Sequence, residues 1–174
     1  MAYLLPQLLL DTAARLPEQT AVAMPEQSLS YAQLDALSNR LAQVLQQNGV
    51  RRGERVGIYL NKSVAAIVSI FGILKADAVY VPLDPYAPAK RLSYIIKNCG
   101  IQCLLSAASK RDGLAQLLSD ASPLRCMIAM EEEALAAPRE GVEVITWNTV
   151  LQASAAAPAM RGLENDLAYI LYTS

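Results

Sequence analysis

Short apolar strands alternating with helix-length segments predict an α/β protein whose strands are mostly parallel. Three observations carry this. The runs Arg55-Val56-Gly57-Ile58-Tyr59-Leu60, Val79-Tyr80-Val81, Gln102-Cys103-Leu104-Leu105 and Cys126-Met127-Ile128-Ala129 are short and nearly continuously apolar, as strands covered on both faces are. Between them lie stretches with apolar residues at helical period. Proline, glycine and asparagine punctuate the junctions.

In chain order, Leu8, Leu9, Ala13 and Leu16 predict a first amphipathic helix closed by Pro17. Ala21-Val22-Ala23-Met24 and Leu29 flank the turn-forming Pro25-Glu26-Gln27 and read as a small hairpin. Ser30-Tyr31-Ala32-Gln33 has the form of a capping box: the Ser30 hydroxyl can accept from the third helical N–H while Gln33 reaches back to the Ser30 N–H. Leu34, Leu37, Leu41, Val44 and Leu45 continue that helix, and Asn48-Gly49 stops it. After the strand from Arg55, Ser63 can cap an apolar helix over Val64–Leu74, which leads into the strand Val79–Val81.

Pro82-Leu83-Asp84-Pro85 turns the chain, because each proline fixes its own φ and pushes its predecessor toward extended geometry. Pro88 suits a helix start, with Leu92, Ile95, Ile96 and Cys99 on one face and Gly100 beyond the end. A helix over Lys110–Leu118 and a strand at Val144-Ile145-Thr146 follow. Residues 153–165, rich in alanine with Pro158 and Gly162, read as a linker. The apolar run Leu167–Tyr172 reads as a central strand.

Composition excludes several functions. Over 174 residues, 53% hydrophobic and 18% charged, the chain is globular with one buried core. A net charge of −1, with both signs interspersed, lacks the basic face of a nucleic-acid binder. The absence of histidine removes Ser-His-Asp and Cys-His nucleophile systems and the commonest zinc ligand. Cys99, Cys103 and Cys126 are too few for a disulfide framework and read as packed thiols of a reducing compartment. The longest apolar stretch, from Val64 to Leu74, is too short for an ordinary membrane span, and the first residues lack a basic leader. A cytoplasmic location is expected. Neither G-x-G-x-x-G nor G-x-x-x-x-G-K-[ST] occurs.

Three segments, taken together and in order, carry a family resemblance. They are Leu29-Ser30-Tyr31-Ala32-Gln33-Leu34, the stretch from Leu74-Lys75-Ala76-Asp77 to Leu83-Asp84, and Asp166-Leu167-Ala168-Tyr169-Ile170-Leu171-Tyr172-Thr173-Ser174. They resemble the first three core motifs of the adenylate-forming superfamily, which includes acyl-CoA synthetases, adenylation domains of nonribosomal peptide synthetases, and luciferases. The opening residues through Leu16-Pro17-Glu18 look like the AMP-forming acyl-CoA ligases of exopolysaccharide or exosortase-linked loci.

The resemblance implies that residues 1–174 are the N-terminal part of the AMP-binding large domain. It also implies that Thr173 and Ser174 open a Ser/Thr/Gly-rich loop that wraps the ATP phosphates, a task that suits hydroxyls and backbone N–H groups. Catalytic lysines and the acidic residue for Mg2+ would lie after Ser174. The whole enzyme would activate a carboxylic acid with ATP and Mg2+ and pass the acyl group to the thiol of CoA or a carrier protein. The 174 residues by themselves would be inactive and would self-associate through the apolar last strand. The family usually has glycine where Asp77 stands, so a left-handed turn with about 1 kcal/mol of strain is expected there. The alternative from another class is a stand-alone, non-catalytic interaction or regulatory module on the same scaffold.

Overall fold

The computed structural model describes residues 4–110, 114, 123–132 and 140–173. The predicted alternation folds as α1 (Leu5–Arg15), β1 (Thr20–Ala23), β2 (Ser28–Ser30), α2 (Tyr31–Gln47), β3 (Arg55–Tyr59), α3 (Val64–Lys75), β4 (Val79–Pro82), α4 (Ala89–Cys99), β5 (Cys103–Ser106), β6 (Cys126–Ala129), β7 (Glu143–Ile145) and α5 (Trp147–Gln152). β1 and β2 pair as an antiparallel hairpin. The other five strands form one parallel sheet in the order β4-β3-β5-β6-β7.

Strand alternation divides the core in two. Val56, Ile58, Cys103, Leu105, Cys126 and Ile128 face a layer built from α2 and α3. Tyr59, Leu104 and Met127 face α4, whose Leu92, Ile95, Ile96 and Cys99 are all buried as their spacing requires. α4 ends where Gly100 takes φ 60°, a left-handed stop that costs glycine nothing.

The α2–α3 layer is closed at several levels. The capping box forms in full: Gln33 N–H donates to Ser30 Oγ at 3.3 Å, and Ser30 N–H donates to Gln33 Oε1 at 2.9 Å. The Ser63 hydroxyl accepts from Ala66 N–H at 3.2 Å and starts α3. Gly72 is where the two helices approach most tightly, since a Cβ there would sit 2.6 Å from Leu41 Cδ2. At the end of α3, Lys75 is fully buried. Its ammonium donates to Asp35 Oδ1 at 2.6 Å, Asn39 Oδ1 at 2.7 Å, Ser38 Oγ at 2.8 Å and the Asp35 carbonyl at 3.2 Å. Those acceptors make it possible to bury a charge that would otherwise be very costly to desolvate.

Three expectations change, and a fourth lies mostly outside the described residues. In α1 the buried residues are Pro6 and Leu9, while Leu8 and Leu16 are exposed, so the helix presents a narrower face than the leucine spacing suggests. The last parallel strand stops at Ile145, and Thr146 instead caps an unforeseen helix, α5, accepting from Thr149 N–H at 3.3 Å. The helix expected over Lys110–Leu118 lies mostly outside the described residues; Lys110 closes a 3-10 turn from Ala108, and Leu114 is helical and buried.

Finally, Leu167–Tyr172 is not a covered central strand. It runs parallel to β4 through a single bridge, Tyr80 to Tyr169, with Leu167, Tyr169 and Leu171 exposed by 67%, 47% and 61%. Ile170 and Tyr172 pack inward. The segment lies on the outer side of the edge strand β4, so only one of its faces has a core to join.

Residues 153–165 contain no helix or strand, yet they are fastened to the body. Asn39 Nδ2 donates to the Ala155 carbonyl at 3.0 Å and Gln43 Nε2 to the Ala156 carbonyl at 3.3 Å. Asp77, with φ 59°, holds the expected left-handed turn. Its carboxylate accepts from Arg161 N–H at 2.7 Å and Gly162 N–H at 3.0 Å. The side chain that replaces glycine here is therefore a clamp: two charge-assisted hydrogen bonds offset the backbone strain.

Candidate functional site

Parallel α/β sheets place ligands beyond the carboxyl ends of their strands, where loops rather than ladders satisfy the backbone. Here that end is formed by the residues after Tyr59, Pro82 and Ser106. Because the segment 167–173 runs parallel to β4, it delivers Thr173 to this same end, beside the Pro82–Pro88 turn.

The segment is held at three points. At its start, Arg52 forms a two-pronged pair with Asp166, Nε to Oδ2 and Nη2 to Oδ1, both at 2.8 Å. Asp166 also accepts from Leu163 N–H at 2.7 Å, and these partners, Arg52 first, hold its carboxyl below the usual range. In the middle, Tyr80 N–H donates to the Ala168 carbonyl and Ile170 N–H to the Tyr80 carbonyl, both at 3.1 Å. The Tyr80 and Tyr169 rings lie 5.4 Å apart, adding an aromatic contact. At the end, Arg91 in the first turn of α4 donates from Nη2 to the Thr173 carbonyl at 3.2 Å. The Tyr172 hydroxyl donates to Asn98 Oδ1 and lies 3.3 Å from Cys99 Sγ. The Cys99 contact, then burial, pushes the Tyr172 phenol up to about 12.

Between this segment and the proline turn lies a groove of about 480 Å³, bordered by Asp84, Tyr86, Arg91, Leu171 and Tyr172. A second, largely apolar groove of about 320 Å³ lies across the turn, between Leu60, Lys62, Ile70, Tyr80 and Pro85. The proline turn thus forms a rib between two grooves at the carboxyl end of the sheet.

Of the two site residues expected from sequence, Thr173 is exposed and follows Tyr172, which borders the larger of these two grooves, and Ser174 lies outside the described residues. Sequence reasoning missed Arg91. It also missed a polar cluster where the strand order reverses, between β3 and β5: the Ser106 hydroxyl donates to the Tyr59 carbonyl at 3.2 Å, and Lys110 Nζ lies 5.8 Å and 5.4 Å from the Tyr59 and Tyr86 ring centres. Burial, then the Asp84 charge, raises the Tyr59 phenol above its ordinary value. Arg91 and Thr173 are 82 positions apart, so no local motif could have joined them.

The exposed hydroxyl of Thr173 and the Arg91 guanidinium beside it suit phosphate oxygens, one as a neutral donor and the other as a planar cation. Among the described residues no cluster of three metal-ligating side chains occurs, and no helix is long and apolar enough to cross a membrane.

Comparison with known proteins accords with this fold. The family model of AMP-binding enzymes matches residues 9–174. The syringomycin synthase SyrB1 of Pseudomonas syringae pv. syringae is 37% identical over 168 residues, covering 94% of this chain and 23% of that protein. The gramicidin S synthase 2 of Brevibacillus brevis is 35% identical over 164 residues, covering 94% of this chain and 3% of that protein. The chain thus spans under a quarter of the length of either relative.

Among solved structures, a fatty acyl CoA synthetase of Mycobacterium tuberculosis superposes with a TM-score of 0.80 at 25% identity, over 97% of this chain and 32% of that one. The nonribosomal peptide synthetase FmoA3 superposes with a TM-score of 0.79 at 27% identity, over 100% of this chain and 16% of that one. In fold alone, the anthranilate CoA ligase AuaEII, solved with anthranoyl-AMP, matches at a TM-score of 0.87 and 21% identity, over 99% of this chain and 32% of that one.

Proposed function

Because the chain belongs to the family of AMP-binding enzymes and forms the N-terminal part of the adenylate-forming fold, we propose that it builds the entrance to the phosphate site of an acid–thiol ligase. In that reaction a carboxylate oxygen attacks the α-phosphorus of ATP, the bond to pyrophosphate breaks, and a thiol of CoA or a carrier protein then displaces AMP from the acyl carbon. An ionised carboxylate needs no base to become a nucleophile, so the first step is a matter of positioning and charge.

The observation that carries the reading is the delivery of Thr173 to the carboxyl end of the sheet, with its carbonyl held by Arg91. Thr173 and Ser174 would donate to phosphate oxygens as charge builds on them. Arg91 would hold the backbone there while adding positive charge to the groove. The residues present fit the polyphosphate in part; Mg2+, which would neutralise phosphate charge when bound, would take its ligands from outside the described residues. Residues 1–174 alone are taken to be inactive, because one guanidinium and a few hydroxyls are weak partners for a polyanion.

The test is acid-dependent exchange of pyrophosphate into ATP by a polypeptide that carries this chain in an active enzyme. Thr173→Ala is expected to slow exchange by about 10²-fold, the typical loss for one donor aimed at developing charge, with unchanged circular dichroism. Wild-type exchange in that variant would leave Thr173 an ordinary strand end, whereas no acid-dependent exchange by the unsubstituted polypeptide would favour the non-catalytic reading. The cytoplasmic location and the choice between CoA and carrier thiol belong to the same proposal, as does self-association of residues 1–174 through the exposed edge of Leu167, Tyr169 and Leu171. Light scattering of the isolated chain is expected to show a dimer or larger species; a monomer at high concentration would refute that part.

A further inference from the structure

Two of the three thiols meet in the middle of the sheet. Cys103 and Cys126 are register partners at the start of the parallel strands β5 and β6, and their sulfurs lie 3.0 Å apart. Both face the α2 layer and are buried. Cys99 is on the other side of the sheet, beside Tyr172. Neighbouring strands run about 4.7–4.9 Å apart, within the window of about 4.4–6.8 Å that Cα atoms need for a disulfide. A bond between these sulfurs therefore asks for side-chain rotation and little backbone movement.

Burial alone would make such thiols inert, but Cys103 is reachable. A cavity of about 140 Å³, bordered by Glu54, Arg55, Gln102 and Arg125, ends at Cys103. Several water-sized molecules fit in that volume, at roughly 30 Å³ each. The cavity is polar and carries two guanidinium groups, those of Arg55 and Arg125. Arg125 is fixed by donating to the Gly49 carbonyl at 3.1 Å and lies 3.7 Å from Glu54 Oε2.

We propose that Cys103 and Cys126 are a reversible dithiol–disulfide modification site at the centre of the sheet, with a small hydroperoxide as oxidant. Cys103 is the attacking sulfur, because it borders the cavity while Cys126 does not; Cys126, 3.0 Å away, is placed to resolve it. Contact with Cys126, then burial, pushes the Cys103 thiol up, so attack is expected to quicken as the pH rises. Cys103 gives up its proton and attacks a peroxide oxygen, the O–O bond breaks, and the departing hydroxide takes up that proton and leaves as water. Cys126 sulfur then attacks the resulting sulfenic acid; the S–S bond forms, the S–O bond breaks, and the oxygen leaves as water with the Cys126 proton. In total two thiols and one hydrogen peroxide become one disulfide and two waters. The product staples β5 to β6 and closes the chain between residues 103 and 126, which restricts the unfolded state.

The experiment treats the reduced, folded protein with hydrogen peroxide, blocks remaining thiols and maps the peptides. The expected product is one linked pair, Cys103 with Cys126, lighter by two hydrogens and restored by dithiothreitol, with a higher melting temperature and Cys99 unlinked. Cys126→Ser is expected to accumulate a sulfenic acid on Cys103 that dimedone captures, while Cys103→Ser leaves Cys126 unmodified. A link that includes Cys99, irreversible oxidation at single sites, or no linkage in protein whose circular dichroism stays native would each overturn the proposal. The wild-type map decides the matter even where a serine variant does not fold.

Discussion

The α2–α3 layer and the segment 166–173 are built from similarly apolar sequence and end in opposite states. The first is sealed: capped helices, a glycine-mediated close approach, and a buried ammonium with four acceptors. The second is tied by two arginines and one strand bridge, and exposes alternate apolar side chains. The sealed layer is where the chain gains its stability. The tied segment is where it keeps backbone and hydroxyl groups available at the carboxyl end of the sheet. Regions that bind and move are drawn from the less stable parts of a fold, and this segment has the attributes of one.

Three substitutions put that contrast under strain. The largest effect is expected from Lys75→Ala, which leaves the Asp35 carboxylate and the Asn39 and Ser38 acceptors without their cation. Removing one partner of a buried pair costs about 3–5 kcal/mol. Urea unfolding should show a loss of this size, and a loss below about 1 kcal/mol would mean the layer is held by apolar packing alone.

A smaller effect is expected at Asp77, which joins the two regions. Asp77→Gly relieves about 1 kcal/mol of left-handed strain but removes two hydrogen bonds to a charged acceptor, worth about 1.5–3 kcal/mol each. Net destabilisation is expected, with faster hydrogen exchange at the Arg161 and Gly162 amides. Stabilisation without faster exchange there would show that the clamp contributes nothing.

The smallest effect is read from the alkaline limb of the stability profile. Tyr172 is held to about 12 in the folded chain, above the ordinary phenol value of 10.0, so the native state keeps a proton that the unfolded state releases. Its contribution to stability is complete below pH 10 and is lost as the pH rises toward 12. Tyr172→Phe should flatten that part of the stability profile and lower stability in the neutral region, where the hydroxyl makes its full contribution. Lys75 acts in the opposite sense, because burial lowers its ammonium, so the comparison must be made between wild type and the tyrosine variant at each pH.

Local grammar was legible wherever a few neighbouring residues settle the geometry. Ser30 and Gln33 announce their capping box, Ser63 its cap, Gly100 its left-handed stop, and the continuously apolar strands their burial on both faces. α5 escaped because six residues from Trp147 to Gln152 are too few to show a helical period, although Thr146 offered a cap. Leu167–Tyr172 misled because continuous apolarity describes a strand's propensity and not how many neighbours it finds. At the site, Thr173 could be named from its motif, whereas Arg91 could not.

What the sequence by itself determined is therefore the α/β alternation, the caps and turns, and the family, all of which depend on residue type and short-range spacing. The tertiary structure decided the matters that depend on distance in space across long separations in the chain. It chose Lys75 as the buried cation of α2 and α3, set Arg91 against Thr173, turned Asp77 from a strained residue into a clamp, and brought Cys103 to Cys126. The physical reason is the same in each case: a charged or polar side chain is indifferent to its neighbours in sequence until packing removes its water and leaves it only the partners that the fold supplies.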